Sequence, residues 1–196
     1  LVETDGIYSI RKYDVVSTVA DLQTALKSDA KNIYFAAPAG ELETIDFYSN
    51  TNGKKNLKIV GTEGTKIKFD NLQVRAELFD ELTIENCEIL RMPKKTWCMI
   101  AFGGSNNPAG VYTIENCIFN GVGTQGIYIN ETASGATYNI LNCTFNGDFG
   151  SEGAVTIQCN ENVNHNVNVM GCTFNNIPAT SNKIFVIYQN TDQTAW

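Results

Sequence analysis

Histidine is almost absent from this chain of 196 residues, because His165 is the only one. His165 lies in the polar turn NENVNHNVN, where a solvated loop residue is a better interpretation than a general base. The six cysteines do not follow CxxC spacing, so the sequence predicts no zinc site. No other metal site and no cofactor site is predicted.

Positive charge is scarce as well. The chain has 14 lysine and arginine residues against 21 acidic residues, which gives a net charge of −7, and the lysines are scattered along it. A nucleic-acid-binding protein is expected to gather basic residues on one face. We therefore predict no nucleic-acid partner.

Long apolar runs are missing too, since none approaches the roughly 20 residues that span a bilayer. The N-terminus LVETDGIYSI lacks the charged start and the apolar stretch of a signal peptide, although a leader that has been removed would leave no trace. The hydrophobic content of 43% is sufficient for one sizeable core, and the length favours one domain, alone or with a short appendage.

What the chain does have is a repeat. The phrases LTIENCEIL, VYTIENCIFNG, YNILNCTFNG and VNVMGCTFNN align Cys87, Cys117, Cys143 and Cys172 at spacings of 30, 26 and 29 residues. The aligned positions three residues before and two residues after each cysteine are apolar. A nearly fixed period of this length indicates one structural unit per repeat.

The repeat extends beyond these four phrases. The apolar column three residues before the cysteines continues backwards through Ile59 to Ile33, which predicts about six coils. A second strand-like series has its apolar positions at Ile100, Ile129, Ile157 and Ile187. Both series are short, rich in β-branched residues and separated by Gly, Asn and Ser, as is typical of strands joined by turns.

These features predict an all-β fold, a right-handed parallel β-helix whose coils stack at roughly 4.8 Å. A leucine-rich repeat of similar period would require an LxxLxLxxN core and usually a helical return, and the chain shows neither. We assign residues 17–196 to the β-helix domain and residues 1–16 to an N-terminal segment.

The asparagine before each cysteine is predicted to form a bend. Strict alternation would turn Cys117 outward, although its column has the character of a core column. Asparagine tolerates the left-handed conformation that resets the alternation, and we expect Asn86, Asn116 and Asn142 to stack there with hydrogen-bonded amides. Gly171 can adopt the same bend without the ladder.

The stacked cysteines are predicted to be free, buried thiols. Parallel stacking keeps their Cβ atoms near the coil spacing, beyond the mean of about 3.8 Å in real disulfides.

A short amphipathic helix is predicted in STVADLQTALKSDA, where it would cover the open first coil. Ser17 or Thr18 is the expected N-cap, with Asp21 in the first turn. The apolar face consists of Val19, Leu22, Ala25 and Leu26.

The helix VSTVADLQTAL, the strand NIYFAAPAG and the repeated IxNCxF coils together resemble the right-handed parallel β-helix proteins of the pectate-lyase-like superfamily, over about residues 17–190. In detail the chain is similar to extracellular modules of uncharacterised function from polysaccharide-degrading gut bacteria of the Bacteroides type. This resemblance implies a secreted or cell-surface location, including attachment as a lipoprotein, and a junction to a neighbouring domain at residues 1–16.

The resemblance implies a polysaccharide partner but leaves the activity open. The DD, HG and RIK strings of the polygalacturonase series are missing, and only three arginines are present. Our leading hypothesis is a module that binds polysaccharide or assists its processing, without an identified catalytic site. The alternatives are an active lyase of a uronate polymer, with Arg91, Lys94 or Lys95 as its base, and a structural adhesin or spacer.

Two groups of residues are candidate carbohydrate contacts. Cation and aromatic character coincide at Arg91, Lys94, Lys95 and Trp97, which can pair a uronate and stack a sugar ring. The second group is an amide and aromatic wall beside the second strand series, and its proposed contacts are Tyr128, Asn130, Gln158 and Tyr188. Met99, Ala101 and Thr156 are expected to point outward on the same wall.

Glu85 and Glu115 are predicted to share an outward column at a separation of about 5 Å, which suits a carboxylate pair. The column continues with Leu141 and Met170, so we interpret it as a solvated strand face rather than a catalytic site.

The C-terminal stretch NKIFVIYQNTDQTAW is predicted to form a last strand with a short polar tail and no capping helix. We therefore predict that further sequence, an adjacent domain or end-to-end association of two copies covers this coil.

Overall fold

The structure is a computed structural model, and it describes residues 2–4, 7–9, 11–47, 51–69, 78–91, 98–103, 110–130, 135–160, 164, 166–178 and 183–190. The described chain begins with a small antiparallel pair, β1 (Val2–Thr4) and β2 (Ile7–Ser9). The strands that follow form three parallel sheets.

The three sheets are the walls of a β-helix, because neighbouring strands in each sheet come from successive turns of the chain. In spatial order the first sheet contains β3 (Asp14–Val16), β4 (Asn32–Ala37), β6 (Lys55–Gly61), β8 (Phe79–Glu85), β11 (Val111–Glu115), β14 (Thr137–Leu141) and β17 (Asn166–Met170). The second sheet contains β5 (Gly40–Glu41), β7 (Thr65–Ile67), β9 (Glu88–Ile89), β12 (Ile118–Val122), β15 (Thr144–Asp148) and β18 (Thr173–Asn175). The third sheet contains β10 (Cys98–Gly103), β13 (Gln125–Asn130), β16 (Val155–Asn160) and β19 (Phe185–Asn190).

This topology confirms the predicted parallel β-helix, with about four complete turns instead of about six. Each of the last four turns contributes one strand to every sheet, starting with β8, β9 and β10. In the described residues of the two earlier turns, strands occur only in the first two sheets, next to an isolated bridge between Ile45 and Phe69. The prediction counted six because the apolar column of the first sheet runs through all six turns.

Alternation along the strands separates the core from the surface. In β14, Tyr138 and Ile140 are buried, whereas Thr137, Asn139 and Leu141 are half-buried on the outer side. Successive turns place like residues above one another, so the rings of Phe119, Phe145 and Phe174 stack. Their centroids are 4.7 Å and 5.0 Å apart, and both interplanar angles are 9°. Such stacks add to the energy of apolar burial.

The predicted registers are correct within most of the repeat and shift by two residues at one end of each series. Ile59, Ile84, Ile114, Ile140 and Val169 align as expected. Phe35, however, takes the place predicted for Ile33 and pairs with Ile59. A shift of two residues keeps every side chain on its own face, so the apolar pattern alone does not distinguish the two registers.

The left-handed bends are confirmed. Asn86, Asn116 and Asn142 have φ of 58°, 52° and 54°, and Gly171 has φ of 67°. Asn176, after β18, adopts the same conformation with φ of 54° and was not predicted.

The predicted amide ladder at this bend is wrong. Among the described residues, the recorded side-chain amide hydrogen bonds between turns run in other columns. The bend residues are solvent-exposed and have their backbone N–H groups bonded to the next turn instead, as in the bond from Asn116 to the Leu141 carbonyl at 3.0 Å.

The capping helix is confirmed as α1 (Val19–Lys27). Thr18 is its N-cap, and the hydroxyl oxygen accepts from the Asp21 backbone N–H at 3.1 Å. Val19, Leu22 and Leu26 are buried against the first turn, and Ala25 is partly buried. The helix thereby covers one end of the apolar interior, as a stacked fold requires.

A buried lysine forms a hydrogen bond with the C-terminal end of α1. The Lys55 Nζ donates to the carbonyl oxygen of Ser28, the C-cap residue of α1, at 2.6 Å. A cation is favourable at a helix C-terminus, where backbone carbonyls lack partners. Burial nevertheless lowers the pKa of Lys55, since it disfavours the charged form.

Residues just before β3 lie against the first sheet. The Arg11 guanidinium forms a two-pronged ion pair with the Glu81 carboxylate, with Nη2 and Oε1 2.9 Å apart. The ring of Tyr13 makes an edge contact with that of Tyr34, at a centroid distance of 6.4 Å. Since β3 itself pairs with β4, this part of the N-terminal segment is attached to the β-helix, and the division at residue 17 stays a prediction.

Candidate functional site

The amide and aromatic wall lies on the third sheet. Ile129, Ile157 and Ile187 pair in the predicted register. The residue that follows each of them is on the opposite face, so Asn130, Gln158 and Tyr188 form one outward column across three turns. Tyr128 is in the preceding outward column of β13. The backbone thus brings together all four wall residues that we predicted.

A side-chain hydrogen bond joins two members of this wall. The Tyr128 hydroxyl donates to the Gln158 Oε1, which lies one turn further along and two residues away in register. Tyr128 and Gln158 are half-buried, as is Asn130. The contact directs the Tyr128 hydroxyl towards β16. It occupies the oxygen of the Gln158 amide, and the amide nitrogen is a separate donor that can bind a ligand.

Three other residues that we expected to point outward on this wall are buried. Met99 is 2% exposed, and Ala101 and Thr156 are fully buried. Ala101 and Thr156 are the register neighbours of Tyr128, so two small side chains flank the large ring in one column. Met99 lies beside Gly126 in register.

The register of β10 also differs from the prediction. Ile100 pairs with Ile127, and Phe102 takes the place that we assigned to Ile100 beside Ile129. This is another two-residue shift, and it brings Ala101 next to Tyr128 and Gly103 next to Asn130. The wall is therefore bordered by small residues on the side of β10.

The other predicted contact group is only partly described. Arg91 is exposed and follows β9, while Lys94, Lys95 and Trp97 lie outside the described residues. His165 lies outside them as well.

Charged side chains on the outer faces of the early turns pair with one another. Glu115 is directly beside Glu85 in register, as predicted, but the Lys58 Nζ is 2.7 Å from the Glu85 carboxylate. The Lys66 ammonium similarly lies 3.0 Å from Glu88. Further pairs join Lys31 and Lys54 to Asp80, and Lys68 to Glu41. These contacts support the interpretation of the Glu85 column as a structural face.

Amide ladders on the later turns were missed by the sequence analysis. On the second sheet, Asn175 donates to Asn146 at 3.0 Å, Asn146 to Asn120 at 3.0 Å, and Asn120 to the Glu88 carboxylate at 2.9 Å. On the first sheet, Asn168 donates to Asn139 at 2.8 Å, and Asn139 to Thr113 at 3.3 Å. The signal was present in the sequence, because an asparagine follows three residues after Cys117, Cys143 and Cys172.

The thiol column is confirmed. Cys87, Cys117 and Cys143 are buried, Cys172 is half-buried, and all four are free. From the second turn onward, each thiol approaches a carbonyl oxygen of the preceding turn, such as Cys143 Sγ to Ile114 at 3.5 Å. Burial raises the pKa of Cys87 to about 12, and a hydrogen bond with the Cys117 thiol together with burial raises the pKa of Cys143. Cys87 and Cys143 therefore lack the thiolate character of reactive cysteines.

Comparisons with family models, with curated proteins and with solved structures gave no match. The relation to the pectate-lyase-like superfamily and to modules of Bacteroides-type bacteria therefore stays a prediction from the repeat pattern. Within the described ranges, no helix has the length and apolar character to cross a membrane. The same ranges hold no cluster of three or more side chains suited to a metal ion.

Proposed function

We propose that this β-helix is a secreted or cell-surface module that binds polysaccharide on the outer face of its third sheet. The contact residues would be Tyr128, Asn130, Gln158 and Tyr188. The observation that supports this proposal is the column of Asn130, Gln158 and Tyr188, together with the bond from Tyr128 to Gln158.

The chemistry of this wall suits sugars. An aromatic ring offers an apolar face for the C–H side of a pyranose, and side-chain amides both donate to and accept from hydroxyl groups. Neighbouring turns repeat these groups at roughly 4.8 Å along the axis of the β-helix. A polymer lying along the axis would therefore meet a series of similar contacts.

Arg91, Lys94, Lys95 and Trp97 would provide a second contact for acidic sugars under this proposal. Lys31, Lys58 and Lys66 each pair with a carboxylate of the protein. The segment after Arg91 contains Lys94, Lys95 and Trp97, which combine positive charge with an aromatic ring. The free, buried thiols Cys87, Cys117 and Cys143 are compatible with an extracellular location, because burial limits their oxidation.

The test is a glycan screen with acidic and neutral plant, host and algal polysaccharides, followed by calorimetry on the best ligand. We expect Tyr128→Ala to weaken binding by about tenfold, since stacking on one aromatic ring contributes about 1–3 kcal/mol. Tyr34→Ala, which removes a half-buried ring from the first sheet, is the matched control and should bind as the unaltered protein does.

Two outcomes would contradict the proposal. Equal binding by the Tyr128→Ala and Tyr34→Ala variants would place the ligand elsewhere, and no binding in the whole screen would favour a spacer. Ultraviolet absorbance is recorded in parallel, because unsaturated product from a uronate polymer would establish the lyase instead. The candidate bases for that activity are Arg91, Lys94 and Lys95.

A further inference from the structure

A groove beside the N-terminal end of the first sheet has no role in the proposed carbohydrate surface. Its walls are β3 and the side of α1 that carries Asp21, Thr24 and Ala25, next to the buried face of Val19, Leu22 and Leu26. The main lining residues are Asp14, Val15 and Val16 from β3, and Asp21, Thr24 and Ala25 from α1. All of these residues are described, so the groove is a defined feature of the cap.

One wall of the groove is a sheet edge. β3 is the terminal strand of the seven-stranded sheet, and among the described residues it pairs only with β4. Backbone N–H and C=O groups on the far side of a terminal strand have no partner in the sheet, which makes such an edge a template for another strand. Val15 is 69% exposed, so a side chain on this strand is also open to contact.

The charge of the groove is acidic. Asp14 and Asp21 are the charged residues that line it, and both are exposed. Between them the lining consists of valine, alanine and small hydroxyl residues. A ligand that fits would therefore carry positive charge on some side chains and small apolar groups on others.

We propose that this groove binds an extended peptide that adds as a strand to the free edge of β3, with basic residues facing Asp14 and Asp21. Strand addition between an edge strand and a helix uses main-chain hydrogen bonds for affinity and alternate side chains for specificity. A polysaccharide lacks the alternating N–H and C=O groups that the edge demands, so a peptide is the better occupant.

The experiment uses the full chain and a fluorescein-labelled peptide of alternating lysine and valine, with blocked ends. Fluorescence anisotropy is compared with that of a peptide methylated on the alternate backbone nitrogens that would face β3. N-methylation removes the hydrogen-bond donors and keeps the charge, and it should weaken binding by about tenfold or more, as loss of one or two hydrogen bonds does. In NMR spectra of the protein, addition of the unmethylated peptide should change the amide chemical shifts of β3 and α1 only.

A pair of variants tests the charge. Asp14→Lys should weaken binding of the unmethylated peptide by about tenfold or more, through lost attraction and added repulsion. Glu63→Lys makes the same change in net charge at an exposed turn between β6 and β7, and it should have little effect. Circular dichroism checks that both variants fold.

Each remaining outcome overturns the proposal. Equal binding of the methylated and unmethylated peptides would show non-specific attraction to an acidic protein. An equal loss of peptide affinity in the Asp14→Lys and Glu63→Lys variants would also show non-specific attraction. If neither peptide binds, the β3 edge does not bind a peptide of this kind.

Discussion

Buried thiols repeat from turn to turn inside this β-helix. Cys87, Cys117 and Cys143 are each 2% exposed or less, and their sulfur atoms lie close to backbone carbonyl oxygens. A thiol suits this position because it is small and apolar and is a weak donor that needs no strong partner. Serine would bring a hydroxyl that is more costly to bury.

Burial of Cys87 has a consequence for alkaline stability. Its pKa in the folded protein is about 12, above the ordinary value near 8.5 for an exposed thiol, so the folded state holds the proton more tightly. The stabilising contribution is complete below the unfolded pKa and is lost as pH rises towards the folded pKa. Between pH about 8.5 and the folded pKa, we expect the contribution of Cys87 to the free energy of unfolding to fall by about 1.4 kcal/mol for each pH unit.

The measurement is urea denaturation at several pH values between neutral and strongly alkaline, with reductant present. Cys87→Ala should show a shallower decline than the unaltered protein, whatever its stability at neutral pH. Titration of lysines and tyrosines is common to both proteins, so the difference in slope isolates Cys87. Identical slopes would mean that this thiol is not buried as described.

At the scale of the element, the asparagine bend allows a strand of the first sheet to pass into a strand of the second. Asn116 lies between β11 and β12 with φ of 52°, and Asn86 and Asn142 repeat it in neighbouring turns. The bend resets the alternation, so that Ile114 and Cys117 are both buried. Asparagine reaches this conformation at low cost, whereas a β-branched residue does not.

We expect Asn116→Val to lower the free energy of unfolding by about 1–3 kcal/mol, because valine would be strained at positive φ. Asn116→Gly should cost less, since glycine adopts this conformation without strain. Asn120→Val is the matched control, because it removes an exposed ladder amide from β12 without requiring positive φ. Thermal melting compares the three variants. If the Asn116→Val variant melts at the same temperature as the unaltered protein, strain at this bend is excluded.

The elements also show which parts of the fold were predictable. The bends, α1, the thiol column and most registers follow from local chemistry that repeats in the sequence. Ile33 and Ile100 were placed in positions that Phe35 and Phe102 occupy, two residues away, because both registers bury the same face. The burial of Met99 and Thr156 was not predicted, because it depends on neighbours in other turns, which alternation alone does not reveal.

The candidate site was less predictable than the fold. The Asn130 column followed from strand register, but the bond from Tyr128 to Gln158 and the two amide ladders depend on side-chain direction. The groove at β3 depends on how α1 packs on the first turn of the β-helix, and no repeat in the sequence specifies this packing.

For the whole molecule, the two ends of the described β-helix differ. At the first turn, α1 buries Leu22 and Leu26 against the interior. At the last turn, Phe185 is 46% exposed and Ile187 is 68% exposed, although Ile127 and Ile129 in the same inward columns are fully buried. Apolar side chains that are buried in earlier turns are thus open to solvent in the last one, together with the edges of three sheets.

We therefore expect the 196-residue chain to associate through its last turn as protein concentration rises, unless further sequence or an adjacent domain covers that turn. The exposed apolar side chains of the last turn favour association, and a charge placed among them should oppose it. Ile187→Lys should reduce the concentration-dependent rise in molar mass measured by light scattering. Val122→Lys alters a residue that is similarly exposed, at 57%, but lies in β12, two turns before the last, so this variant should associate as the unaltered chain does. A strict monomer at high concentration, or equal effects of the two lysines, would show that the last turn is not the contact surface.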